Sequence, residues 1–265
     1  MHISVSGSGP DLVLLHGWAL QGDVFAPLLQ RLTDHFTVHV VDLPGHGRSR
    51  DDTTPLQLAP VVSVIAAATP PAVWCGWSLG GLFALHAAAT QPQVQGLVML
   101  ASSPRFVRDE RWAHAVPATV FAQFAADLSE DFPATVDRFL ALDLMNVAPG
   151  REDLRGLRQR LLDSGAPAAR VPADGRHLLE ATDLRGALPT LPVPSLWLAG
   201  QRDRLVPPAA AHAAATMAPH ACAYTIAHGG HAPFLGHADE VAEQLQRFVM
   251  QRIVTAVGRH PTMHG

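Results

Sequence analysis

The chain has no lysine. All 19 of its basic residues are arginine, which we read as a composition bias and not as chemistry. Only two cysteines, Cys75 and Cys222, occur in 265 residues, which excludes a disulfide framework and a cysteine-rich zinc module. Both lie in apolar runs, as expected of reduced, buried thiols in a cytoplasmic protein. Positive charge is in deficit: 19 basic against 23 acidic residues leave a net −4, so no basic field is available to hold nucleic acid or an anionic membrane. The opening residues, MHISVSGSGPDLVLL, show no basic segment, no long apolar segment and no small-residue cleavage site, so no leader and a cytoplasmic location are expected. From Thr53 to Pro104 there is no charged side chain. Pro55, Pro60, Pro70, Pro71, Gly76, Gly80, Gly81 and Pro92 interrupt that stretch, and no run of the roughly 20 apolar residues needed to span a membrane survives.

What is present is alternation. HISVS (2–6) suits a short edge strand, and DLVLLH (11–16), TVHVVD (37–42), AVWCG (72–76) and GLVMLA (96–101) suit buried strands. Helical stretches are expected over 22–33, 56–68 and 79–89. Further on, PSLWLAG (194–200), a helix near 208–217, a strand near 221–227 and a helix over 239–253 complete the pattern. Repeated βα units predict an α/β fold with a mostly parallel central sheet flanked by helices. The segment from Pro104 to Leu188 breaks the rhythm. It carries 11 of the 19 arginines and the helical runs VFAQFAADL, TVDRFLALDLM and EDLRGLRQRLLD. We expect a core formed by residues 1–104 and 188–256 and a helical cap inserted over 105–187. The tail from Val257 is expected to fray.

The sharpest motif is Gly76-Trp77-Ser78-Leu79-Gly80, set between a predicted strand and a predicted helix. A serine at the tip of so tight a turn crowds the side chains two residues away, and glycine relieves the crowding. The helix starting at Leu79 aims its N-terminal N–H groups at the reacting centre. An inert serine in a glycine-rich turn is the bland alternative. Serine needs a base and the base an orienting acid, in chain order serine, acid, histidine in this setting. Asp203 follows the strand PSLWLAG and His231 follows the strand near 221–227, so Ser78, Asp203 and His231 are the candidate catalytic residues; His228 and Asp183 are their rivals. Arg202 and Arg204 read as surface charge. Two N–H donors for an oxyanion are expected from Leu79 and from Trp18, in His16-Gly17-Trp18 after the strand LVLLH, with the Trp18 indole also able to wall the pocket. Asp42-Leu43-Pro44-Gly45-His46-Gly47-Arg48-Ser49 reads as a rigid structural turn.

HGW, DLPGHGRS, GWSLGG, the GQRD acid loop and GGHAPF resemble the α/β-hydrolase fold over nearly the whole chain. With ASSPRF leading into the cap and EDFPATVDRFLALDLM inside it, the sequence most resembles the bacterial pimeloyl-[acyl-carrier protein] methyl ester esterases of biotin synthesis. The resemblance implies attack by Ser78 on a methyl ester, release of methanol and hydrolysis of the acyl-enzyme, with no cofactor. It also implies a substrate channel over Phe139, Leu140, Ala141, Leu142 and Asp143, and docking of an acyl carrier protein on Arg138, Arg151 and Arg155. Ala134 stands where the family pattern can carry a further arginine, and Asp143 where a neutral side chain is expected, which would perturb the channel.

Read from the residues alone, Arg151, Arg155 and Arg158 share one helix face, which suits either a solvated surface or the steering of an acidic partner. Phe139, Leu140, Leu142 and Leu144 suit cap core or channel lining equally. No nucleotide fingerprint, phosphate loop or metal-ligand spacing is found. A monomer is expected. The competing readings are a small-molecule esterase, lactonase or carbon–carbon hydrolase, and a non-catalytic ligand-binding scaffold.

Overall fold

Runs such as LVLL and VWC carry bulky apolar side chains on both sides of a strand, and they stay in place only if both faces of the sheet are covered. The computed structural model describes residues 1–143 and 151–254, the side chains of 151–154 and 254 excepted. Its strands are β1 (His2–Gly7), β2 (Asp11–Leu15), β3 (Thr37–Asp42), β4 (Ala72–Trp77), β5 (Val94–Leu100), β6 (Ser195–Gly200) and β7 (Ala221–Ile226). They form one sheet in the order β1-β3-β2-β4-β5-β6-β7, with β1 antiparallel and all others parallel. Every residue of β4 and β6 is buried.

The covering helices follow from handedness. The chain moves from β2 one way to β3 through α1 (Ala26–Leu32). It then reverses, passing through α2 (Leu58–Ala68) to β4 and through α3 (Leu79–Thr90) to β5. Right-handed crossovers in opposite directions put α1 on one face and α2 and α3 on the other. The reversal lies between β2 and β4, and the crevice at their carboxyl ends is where such sheets hold ligands.

Between β5 and β6 lie α4 (Ala118–Glu130), α5 (Phe132–Asp143), α6 (Arg151–Asp163) and α7 (Val171–Ala181). The first three match the helical runs of the sequence. The fourth was hidden by Pro172 and by Gly175, a poor residue for a helix interior. The remaining elements are α8 (Pro208–Met217), the single turn α9 (Pro233–Gly236) and α10 (Ala238–Phe248), which packs beside α1.

Some boundaries differ from expectation. The helix expected over 22–33 opens as a 3₁₀ turn, and α1 starts where Pro27 fits its first turn. The helix expected to reach 253 ends at Phe248 and continues as a π-helical turn over Val249–Val254. Cys75 is fully buried, whereas Cys222 is only half-buried, because β7 is the sheet's edge strand. Leu144 and the tail from Val257 lie outside the described residues. Among the described residues no helix is long and apolar enough to cross a membrane.

Candidate active site

Ser78 is held in a conformation that L-residues avoid. Its φ is 52° and its ψ −123°, between the last residue of β4 and the first of α3. Gly76 and Gly80 permit this. A Cβ on Gly76 would lie 2.3 Å from the Gly80 carbonyl oxygen, and a Cβ on Gly80 would lie 2.3 Å from the Leu15 carbonyl oxygen on β2. The second glycine therefore serves the neighbouring strand as well as the turn itself. The Ser78 N–H donates to Leu100 at 3.0 Å, and its carbonyl accepts from the buried Ser102 hydroxyl at 2.7 Å. The strain is fixed from the β5 side.

The Ser78 hydroxyl reaches His231 Nε2 at 2.9 Å, and His231 Nδ1 reaches Asp203 Oδ2 at 2.8 Å. With Nδ1–H donating to the carboxylate, Nε2 is free to accept the serine proton. The other oxygen, Asp203 Oδ1, accepts the N–H groups of Leu205 and Val206 at 2.8 and 2.9 Å. The carboxylate is buried and cannot rotate away. Burial pushes the His231 imidazole down, but the charge and hydrogen bond of Asp203, with a smaller push from Asp143, outweigh it and leave His231 above its ordinary value. The rivals stand elsewhere: His228 Nδ1 accepts from Arg202 at 2.9 Å, and Asp183 pairs with Arg185 at 2.6 Å.

Leu79 opens α3 directly after Ser78, its side chain in the core. The Gly17–Trp18 backbone lies against the serine, so close that a Cβ on Gly17 would stand 3.3 Å from Ser78 Cβ. Two buried histidines, unassigned by the sequence reading, fix this loop. His16 accepts the Leu43 N–H at Nε2 and donates from Nδ1 to the Gly17 carbonyl. His46, from the turn read as structural, donates to the Pro44 carbonyl and accepts the Ala19 N–H at 3.2 Å. Ala19 has a φ of 63°. Burial, reinforced by the neighbouring His16, drives His46 down to about 3, so both rings are neutral pegs.

Trp18 walls an apolar cavity of about 110 Å³ that Ser78 and His231 also line. Its ring packs on Phe124 at 5.1 Å, and its indole N–H donates to the Val171 carbonyl of α7 at 3.1 Å. Helices α4 and α5 thus supply Val120, Phe121, Phe124 and Phe139 to the cavity. The first three were missed because helical periodicity marks them only as apolar. A second, wider cleft of about 800 Å³ also reaches His231 and opens among Arg138, Leu142, Arg202 and Arg204.

Of Phe139, Leu140, Ala141, Leu142 and Asp143, the three spaced i, i+3 and i+4 on α5, Phe139, Leu142 and Asp143, line the second cleft, while Leu140 and Ala141 turn away from it. Phe139 packs on Trp77 at the cavity, Leu140 is buried in the cap, Ala141 is exposed, and Leu142 is 70% exposed on the cleft rim. Asp143 turns inward to accept the Ala232 N–H at 2.6 Å. Arg138 lines the cleft and pairs with Asp127 at 3.0 Å, Arg155 is exposed on α6, and the Arg151 side chain lies outside the described residues. Arg158 donates from Nε and Nη2 to the two carboxylate oxygens of Asp137 on α5, so the face shared with Arg155 is tied to its neighbour helix.

Residues 12–244 match the profile of the alpha/beta hydrolase family. A pimeloyl-[acyl-carrier protein] methyl ester esterase of Stenotrophomonas maltophilia is 70% identical over 249 residues, 94% of this chain and 96% of that protein. One from Xanthomonas campestris is 66% identical, over 94% of this chain and 98% of its own. Among solved structures, an esterase from Exiguobacterium antarcticum superposes with a TM-score of 0.83 at 21% identity, covering 94% of this chain and 95% of its own. The enol-lactonase of Burkholderia xenovorans gives 0.78 at 20% identity, covering 94% and 96%. These two share the fold and carry no argument about substrate. The chain belongs to the alpha/beta hydrolase family.

Proposed function

We propose that the chain is a serine carboxylesterase that hydrolyses the methyl ester of pimeloyl-acyl carrier protein, releasing methanol in biotin synthesis. The observation that carries this reading is the row Ser78–His231–Asp203, at 2.9 and 2.8 Å, lying where an apolar cavity meets a cleft open to solvent. High identity to proteins named for that reaction supplies the substrate class.

In this reading His231 takes the Ser78 proton as the oxygen attacks the ester carbonyl, and Asp203 steadies the imidazolium. The N–H groups of Leu79 and Trp18 hold the oxyanion, and α3 adds the positive end of its dipole. His231 then protonates the departing methoxide. A water molecule activated by the same imidazole releases the acid and restores Ser78. The cleft bounded by Phe139 and Leu142 takes the chain tethered to the carrier, and Arg138, Arg151 and Arg155 meet the acidic carrier protein. Residues 105–187 act as the cap of a core formed by 1–104 and 188–256. The enzyme works as a cytoplasmic monomer, without cofactor, nucleic acid or membrane.

Expression in a biotin-requiring bacterial strain lacking its own esterase tests the proposal. Growth without biotin is expected from the wild type and not from Ser78→Ala. Rescue by both, or by neither while both are soluble and expressed, overturns it.

A further inference from the structure

Asp143 is a largely buried carboxylate at the floor of the second cleft. Its side chain is buried, with the residue 8% exposed, although it belongs to the cap. Its Oδ1 accepts the Ala232 N–H at 2.6 Å, the His231 N–H is also turned toward it, and a Cβ on Gly230 would fall 2.4 Å from the same oxygen. A buried carboxylate persists only where donors or charge compensate it. Here the N–H donors and the compensating charge come from the turn that carries the candidate base.

That turn is gripped from three elements. The Trp77 indole N–H, from β4, donates to the His231 carbonyl at 2.8 Å. Asp203, from the loop after β6, holds the ring. Asp143, from α5, holds the peptide that follows. We propose that Asp143 is a positioning residue for His231: reaching from the cap into the core, it fixes the His231–Ala232 peptide and sets a second negative charge beside the imidazole. The proposal rests on the reading of Ser78, His231 and Asp203 as a catalytic triad.

The groups around the imidazole are few. Ser78, Asp203 and Asp143 face it from the turn after β4, the loop after β6 and the end of α5. Arg138, paired with Asp127, and Arg202, Arg204 and His228 stand around the cleft. Burial pushes Asp143 up from the ordinary carboxylate range, while the charge of His231 and the Ala232 N–H pull it back. Once His231 is protonated, the two acids share its charge. Removing the charge of Asp143 while keeping an acceptor makes His231 shed its proton at lower pH.

The experiment is the normalised pH profile of kcat/KM for p-nitrophenyl acetate with wild type, Asp143→Asn and Asp143→Ser. The acidic limb reports the protonation of the free enzyme's base and is read independently of plateau height. Both variants are expected to move that limb down by roughly half a unit, keeping more of their activity in mild acid. If one variant does not fold, the other carries the test. A limb that coincides with the wild type, or moves up, overturns the proposal, and a lower plateau with an unmoved limb assigns Asp143 to the fold alone. Failure of the triad reading shows separately, as wild-type hydrolysis by Ser78→Ala.

Discussion

The indole N–H of Trp18 donates to the carbonyl of Val171 at 3.1 Å, joining the loop after β2 to the first turn of α7 across 153 positions of sequence. One turn further along α7, Gly175 faces the same ring, and a Cβ there would lie 2.2 Å from the indole nitrogen. Gly175→Ala improves helix propensity by roughly 0.5–1 kcal/mol yet forces the indole out of its seat. The expected result is a loss of about tenfold in kcat/KM on a short ester, since in the proposed reading this loop carries an oxyanion donor and displacing such a donor costs rate steeply. Steady-state assays and thermal melts read the two effects apart. An unchanged rate contradicts the role given to this contact.

Asp203 divides its oxygens between the ring of His231 and two backbone N–H groups. In Asp203→Asn the amide oxygen must stay with Leu205 and Val206, so its NH₂ is forced onto His231 Nδ1. That turns the imidazole to the wrong tautomer and leaves Nε2 protonated. A loss of about 10³–10⁴ in kcat is expected with the fold retained, checked by steady-state assay and circular dichroism.

His46 links the site to acid stability. Its folded value lies near 3, well below the ordinary 6.5 of the unfolded chain. The unfolded state therefore binds the extra proton first. The stabilising contribution is complete above about pH 6.5 and falls away as pH drops toward 3, by about 2 kcal/mol at pH 5. His16 acts in the same direction. Urea unfolding of the wild type against His46→Gln, at neutral pH and near pH 5, should show a smaller pH dependence in the variant. Equal slopes rule out this role for the ring.

Arg155 is exposed on α6. If an acidic carrier docks there, Arg155→Glu should lower the ratio of turnover on carrier-borne ester to turnover on free ester by roughly tenfold at low ionic strength, an effect that salt diminishes. A ratio unaffected by the reversal removes Arg155 from the docking face.

Ser78, Asp203 and His231 were legible because each sits just past a strand, and strand ends converge on one edge of a parallel sheet. The cap was legible as helical, but not which way its residues turn. Phe139 and Asp143 are four positions apart on α5, yet one meets the cavity and the other the His231 turn, because what lies above each is set by chain more than 60 residues distant. The support from His46 was hidden because its partner, Ala19, is 27 residues away and offers only a backbone N–H. Helix α7 was lost to Gly175, whose missing side chain is required by a ring on another segment and not by its own turn.

The cap is riveted. Besides Trp18 to Val171, the Ala168 N–H meets the Gly45 carbonyl at 2.8 Å, Gln21 reaches the Arg160 carbonyl at 3.2 Å, and Asp143 grips Ala232. Lifting it as a door breaks all of these together, at about 1 kcal/mol or more apiece. In the proposed reading substrate therefore enters sideways, through the cleft beside Leu142 and Phe139. An entrance on that side suits a tail that is threaded tip first while the bulky protein bearing it stays outside.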